Sequence, residues 1–352
     1  MVAADFIASC SRPACNEHGR AQAGIIPHFF GHQMRVLRGF SRPVAGPTAL
    51  AIGNFDGVHL GHGALLGRLR DIAAESALPP TVLTFEPHPR EFFTPALAPA
   101  RLTTFREKIE LLAEAGIKQA MVCRFNASFA ALPADQFIDR VLVRGLCVRH
   151  LIIGDDFRFG QGRAGDFALL QRAGEQCGFA VEAMGSVTVD GERVSSSGVR
   201  GALAVGDTEH AARLLGRPYV IDGQVVHGEK LGRQLGFATA NLRIRHNPLP
   251  MTGVFAVAVG GLGDKPWPGV ANLGIRPTVG GTRPLLEVHL FDFDRDIYGA
   301  HISVRFVHKL RDEQRFPNFD ALKAQIAADA AAAREFFTAE AQRTQRSAEI
   351  GR

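Results

Sequence analysis

Two halves of different architecture are expected from this sequence: an α/β domain with a parallel sheet, then a small antiparallel β-rich domain closed by a terminal helix. Three observations predict it. The chain has 352 residues, enough for two domains that each bury a core. Before about Pro218, short apolar runs alternate with helical patterns; after it, strand patterns follow one another across Gly- and Pro-rich turns.

In the first half, TALAIG from Thr48 leads into a helical pattern through Leu65, Leu66 and Leu69. TVLTF leads into one through Phe105, Ile109 and Leu112, AMVCRF into one through Phe137, Val141 and Leu142, and LIIG follows. Regular strand–helix alternation implies parallel strands with right-handed crossovers, a Rossmann-like arrangement. In the second half the strands are YVIDGQVVHG, GVFAVAVGG, PGVANLG, LLEVHLFDF and HISVRFVHKL, which read as an antiparallel barrel or sandwich. A helix from Phe319 to Phe337, with Leu322, Ile326 and several alanines, is expected to pack across it. The expected limits are 34–217 and 218–340, with a fraying tail over 341–352. Residues 1–33 show no sustained periodicity and read as a disordered extension or as lying upstream of a start at Met34.

Composition excludes several classes. With 46% apolar and 21% charged residues, and no apolar run near the roughly 18 residues of a membrane span, no membrane partner is expected. The net charge of +5 suits anionic ligands, but the basic residues are dispersed, so no nucleic acid is expected. Five cysteines without a C-x-x-C pair are poor material for a disulfide framework or a zinc site, and a cytoplasmic location fits.

The strand TALAIG ends in Gly53-Asn54-Phe55-Asp56-Gly57-Val58, followed by His59-Leu60-Gly61-His62 and a helix. Ligands of open α/β sheets bind at the carboxyl ends of the strands, and a helix N-terminus offers N–H groups and a positive dipole to phosphate. Two imidazoles beside it can stabilise charge on a transferring phosphoryl group. Taken alone, H-x-G-H is equally a tight turn with two capping histidines. Val194-Ser195-Ser196-Ser197-Gly198-Val199-Arg200 reads as a capped helix start, with hydroxyls and a guanidinium directed at an anion. The second half has no G-x-x-x-x-G-K-[ST] phosphate loop. It carries instead a basic, glycine-rich connector, Gly228 to Asn241, and a strand in which Glu287, His289 and Phe291 share one face while Leu286, Val288 and Leu290 share the core face.

GNFDGVHLGH resembles the H-x-G-H signature of the nucleotidyltransferase superfamily, in the form found in bacterial bifunctional riboflavin kinase/FMN adenylyltransferases. FEPHPR at Phe85 to Arg90, GDDFRFG at Gly154 to Gly160 and VSSSGVR follow in the family's order, the last similar to I-S-S-T-x-I-R with Ser197 where Thr is usual. G-R-Q-L-G-F-A-T-A-N from Gly232 resembles the riboflavin kinase segment G-R-x-L-G-F-P-T-A-N. The departure is Ala238, which stands where the family carries Pro.

The resemblance implies a barrel for the second half and two reactions: riboflavin with ATP gives FMN there, and FMN with a second ATP gives FAD in the first half, both with Mg²⁺. It implies catalytic roles for His59, His62 and Arg200, and makes Glu287 the base that accepts the ribityl hydroxyl proton. ATP would be held by Gly53, Asn54, Phe55, Asp56, Gly57 and Ser195 to Ser197 (Ser196 included) in one site, and by Gly232, Thr239 and Asn241 in the other. Thr239 and Asn241 would also ligate magnesium. Flavin would lie against Pro87, Pro89, Asp156, Phe157, Arg158 and Phe159 in the first half, with Arg163 a second candidate near its phosphate, and against Asn272, Arg276 and Arg311 in the second. The sequence leaves two narrower readings, an adenylyltransferase whose kinase Ala238 has disabled, and a flavin-binding protein without catalysis.

Overall fold

The computed structural model describes residues 24–25, 34–39, 44–228, 236–246, 248–278 and 281–350. By the packing of its residues the chain forms two units, 1–99 with 105–194, and 100–104 with 195–352. The expectation for residues 1–33 lies almost entirely outside the described residues.

The first unit is a seven-stranded sheet. Its strands are β1 (Gly24–Ile25), β2 (Arg35–Arg38), β3 (Thr48–Ile52), β4 (Pro80–Glu86), β5 (Gln119–Arg124), β6 (Val148–Gly154) and β7 (Ala180–Met184). The spatial order is β1-β2-β5-β4-β3-β6-β7, parallel from β2 to β7, with β1 antiparallel at the edge. Every residue of β3 is buried, as a central parallel strand covered on both faces requires. One face packs under α1 (Leu60–Glu75) and α3 (Phe105–Glu114), through Leu66, Leu69, Ile109 and Leu112. The other packs under Phe137, Val141, Leu142 and Leu170. Successive strands build outward from β3 through β4 to one side, then resume at β6 on the other. The carboxyl end of β3 is therefore the topological switch point, where a crevice opens.

Short helices fill the carboxyl edge: α2 (Pro89–Phe93), α4 (Ala127–Ala130) and α5 (Ala134–Phe137). The helical pattern expected through Phe137 and Leu142 continues from α5 as a wider π-helical stretch, Ile138–Gly145, which still buries Val141 and Leu142. α6 (Phe167–Cys177) and a ribbon, β8 (Thr188–Val189) with β9 (Glu192–Arg193), complete the unit.

The second unit is a closed antiparallel barrel, not a sandwich. Its strands β10 (Tyr219–Val226), β11 (Ala240–Arg243), β12 (Gly253–Gly260), β13 (Trp267–Thr278), β14 (Gly281–Leu290) and β15 (His301–Arg311) run in the order β10-β11-β14-β13-β12-β15, and β15 pairs back to β10. Alternate residues of β10 are buried, the period expected of a strand with one face inward. Two helices, α7 (Ser196–Ala204) and α8 (Thr208–Leu215), pack in this unit, with the Thr208 hydroxyl donating to the Val307 carbonyl at 2.7 Å.

The terminal helix, α9 (Phe319–Ile350), lays Ala330 and Ala333 on Val254, Ala256 and Val270 of the barrel's outer face. It runs past Phe337 because the Ala-, Glu- and Gln-rich segment that follows favours helix after its apolar periodicity has ended. Phe291, on the same strand face as Glu287, is 2% exposed because α9 covers it. Among the described residues no helix is long and apolar enough to cross a membrane.

Candidate functional sites

At the carboxyl end of β3 the chain turns through three residues with positive φ: Phe55 (49°), Gly57 (81°) and Val58 (39°). Such a conformation is costly for a β-branched residue and persists only where surrounding packing imposes it. Phe55 supplies that packing. Its buried ring lies under Gly53, where an added Cβ would come within 3.1 Å of the ring. The Phe55 side chain is therefore committed to the core, which leaves its main chain to shape the turn.

His59 caps α1, its Nδ1 accepting the His62 N–H at 3.3 Å. With Nδ1 used as acceptor, the proton of neutral His59 sits on Nε2. The two rings stack with centroids 3.7 Å apart. Gly61 leaves room for that arrangement, since a Cβ there would come within 3.2 Å of His59. Burial first, then the proximity of His59 and Lys108, holds the His62 imidazole well below its ordinary value. His62 is thus neutral at neutral pH, and its buried Nδ1 has no hydrogen-bond partner among the described residues; the same holds for Asn54 Oδ1. Unsatisfied polar atoms at a helix N-terminus beside a strained turn are groups a polar ligand would satisfy.

The loops after β4, β5 and β6 bring aromatic rings to the same edge. Pro87 and Pro89 shape the turn into α2, where His88 and Glu91 form a reciprocal capping box and Pro89 takes the first turn. Rings of Phe85, Phe92, Phe93, Phe125 and Phe129 then meet one another at 5.2–5.9 Å. Phe92, Phe93, Phe125 and Phe129 were not singled out in the sequence; the adjacent pair at 92–93 was the available signal. Of the two phenylalanines in GDDFRFG, Phe159 is core at 6% exposure and only Phe157, stacked on it at 5.7 Å, keeps an open face. Asp156 pairs with Arg193 at 2.9 Å, and Arg158 with Asp166, which caps α6.

In the second unit Ser195 caps α7 by accepting the Gly198 N–H at 3.1 Å. The helix starts at Ser196, so Arg200 falls in its second turn, where Nε donates to the Ala100 carbonyl at 2.6 Å. On the barrel, Glu287 of β14 lies directly opposite Asn241 of β11 on one side and Asn272 of β13 on the other. These three side chains form one row on the outer face, since directly paired residues point the same way. Gly228 packs against the Asn241 amide so closely that a Cβ would overlap it. Glu313, not anticipated from sequence, hydrogen-bonds Asn272 and packs over Gly274, with burial pushing its carboxyl up.

Thr239 lies two residues ahead of Asn241, at the entry to β11. Arg311 forms a bidentate pair with Asp329 of α9, at 2.8 and 2.7 Å, tying β15 to the terminal helix. Gly232 lies outside the described residues, as does the Arg276 side chain.

The family model for FAD synthetase matches residues 41–198 and that for riboflavin kinase residues 215–337. The chain is 51% identical over 307 residues to the bifunctional riboflavin kinase/FMN adenylyltransferase of Escherichia coli strain K12, covering 86% of this chain and 98% of that one. The chain belongs to the bifunctional riboflavin kinase/FMN adenylyltransferase family. The enzyme of the same name from Haemophilus influenzae is 49% identical over 306 residues, covering 86% of this chain and 99% of its own. Among solved structures, a Streptococcus pneumoniae protein titled as a macrolide-efflux protein superposes with a TM-score of 0.73 at 27% identity, over 85% of this chain and 98% of that one. The two family models fall in chain order on the parallel-sheet unit and on the barrel.

Proposed function

We propose that this chain converts riboflavin to FMN on its barrel and FMN to FAD on its parallel-sheet domain, with functional limits at 34–217 and 218–340. The observation that carries the reading is the stacked His59–His62 pair, set at the N-terminus of α1 on the switch point of the sheet. Adenylyl transfer needs no covalent intermediate; it needs an α-phosphate held in line with its attacker and stabilised charge. Neutral His59 and His62 each donate one proton to phosphate oxygens without the repulsion two stacked cations would suffer. Asn54 and the main chain of Gly53 to Gly57 hold further phosphate oxygens. FMN lies with its ring toward Phe157 and the phenylalanine cluster.

On the barrel, Glu287 accepts the proton of the ribityl 5′-hydroxyl as that oxygen attacks the γ-phosphate of ATP. Thr239 and Asn241 face the phosphates, and Asn272 with Glu313 lies toward the flavin. Magnesium, held by the Thr239 and Asn241 oxygens, would neutralise charge on the phosphates; hard oxygen donors few in number suit that ion. A cytoplasmic location is part of the same reading.

Reciprocal variants test the assignment. Replacing His59 and His62 by Asn should stop FAD formation and leave FMN formation intact, and Glu287→Gln should do the reverse. FAD output persisting in the histidine variant would remove the proposed role of the first site.

A further inference from the structure

Thr239 and Asn241 can act on one phosphate group only if the chain entering β11 keeps one shape. The sequence lacks at 238 the proline that would fix φ there. Among the described residues backbone pairing gives no help at that point, because the ladder between β11 and β14 stops at Ala240 opposite Val288. Where the ladder stops, a side chain takes over. His289, two residues along β14 from Glu287 and on the same face, places Nδ1 2.8 Å from the Ala238 carbonyl oxygen. A carbonyl only accepts, so Nδ1 carries the proton and donates. The imidazole is itself oriented by aromatic edges, Phe237 at 5.4 Å and Phe291 at 5.8 Å. Phe291 is buried under α9, so the support reaches back to the terminal helix.

The Ala238 carbonyl belongs to the same planar peptide as the Thr239 N–H. Holding that oxygen fixes the plane, and with it the direction in which Thr239 leaves toward β11. We infer that His289 is a positioning residue of the phosphoryl-transfer site: by donating to the Ala238 carbonyl it fixes the peptide that aims Thr239, a restraint of the kind a proline at 238 would provide through φ. The inference rests on the reading of Thr239 and Asn241 as the phosphate-holding pair.

The test uses the full-length chain, with initial rates of riboflavin phosphorylation measured across MgATP and riboflavin concentrations. His289→Leu removes the donor, whereas His289→Asn keeps an N–H near the position of Nδ1. With His289→Leu, kcat/KM for MgATP should fall by about three- to tenfold, the size expected for one neutral hydrogen bond. KM for riboflavin and the adenylylation of supplied FMN should stay unchanged. His289→Asn should recover most of the loss, and adding Ala238→Pro to His289→Leu should recover about two- to fivefold. Equal losses in the Leu and Asn variants would overturn the inference, because ring packing and not the hydrogen bond would then matter. So would wild-type kinetics in His289→Leu while Thr239→Val abolishes the kinase. If Thr239→Val leaves the kinase intact, the underlying reading of the pair is what fails.

Discussion

Removing the carboxylate of Asp329 should loosen the terminal helix from the barrel without touching the chemistry of either site. Asp329 is 6% exposed and accepts both Arg311 bonds, at 2.8 and 2.7 Å, and a third from Gln325 at 2.9 Å. Breaking a fully buried ion pair from one side costs about 3–5 kcal/mol, because a charge is left unpaired. The Arg311 side chain retains 22% of its exposure and can recruit water, which lowers the expected cost of Asp329→Ala to about 2–4 kcal/mol. Asp329→Asn keeps one acceptor and should cost about 1–2 kcal/mol. For a unit of this size about 3 kcal/mol corresponds to a fall in Tm of roughly 6–12 °C. Thermal unfolding followed by circular dichroism reads the shift. At 25 °C the KM for riboflavin should stay at its wild-type value, since the Arg311 guanidinium is occupied by Asp329 and the Asp312 carbonyl. A Tm within about 1 °C of wild type, or a selective rise in riboflavin KM, would refute the reasoning that Arg311 anchors the helix.

His62 predicts an acid sensitivity. Its folded value lies well below the unfolded one near 6.5, so below about pH 6.5 the unfolded chain binds a proton the folded chain refuses, and stability falls with acid. His62→Asn should flatten that slope in denaturant titrations between about pH 6.5 and 5. Phe159→Ala should cost about 3–5 kcal/mol of stability as a core truncation, whereas Phe157→Ala should mainly raise the KM for FMN in adenylylation assays. Gly228→Ala forces a Cβ into the Asn241 amide and should slow the kinase by roughly 5- to 100-fold while FAD formation from FMN continues.

What could be read in the sequence follows from which forces act locally. β3 to β6 announce themselves because a central parallel strand is apolar throughout, and the second half announces its antiparallel strands by period and turn residues. Closure into a barrel came from the family resemblance and not from the strand pattern, because pairing of β15 to β10 joins segments far apart in the chain. β11, four residues long, was hidden in the glycine-rich connector before it, too short for its alternation to register.

At the sites, His59, His62 and Glu287 were legible as letters in motifs. Their states were not. That His59 uses Nδ1 on a backbone N–H, or that His62 is neutral, depends on burial that only the assembled turn creates. Arg311 shows what a sequence leaves out: the resemblance implies a flavin contact there, and the pairing of its guanidinium with a carboxylate eighteen positions on appears only in the fold. Glu313 and His289 carried no signal of their own, since each acts through a neighbour on another strand.

One time course tests the central claim most directly. The purified chain would be incubated with riboflavin, ATP and Mg²⁺, and riboflavin, FMN and FAD resolved by chromatography. FMN should appear first and then give way to FAD, with two ATP consumed per FAD formed, in line with the two reactions assigned to the two units. FAD from supplied FMN but none from riboflavin would contradict a working kinase on the barrel, and no conversion of either flavin would contradict both sites.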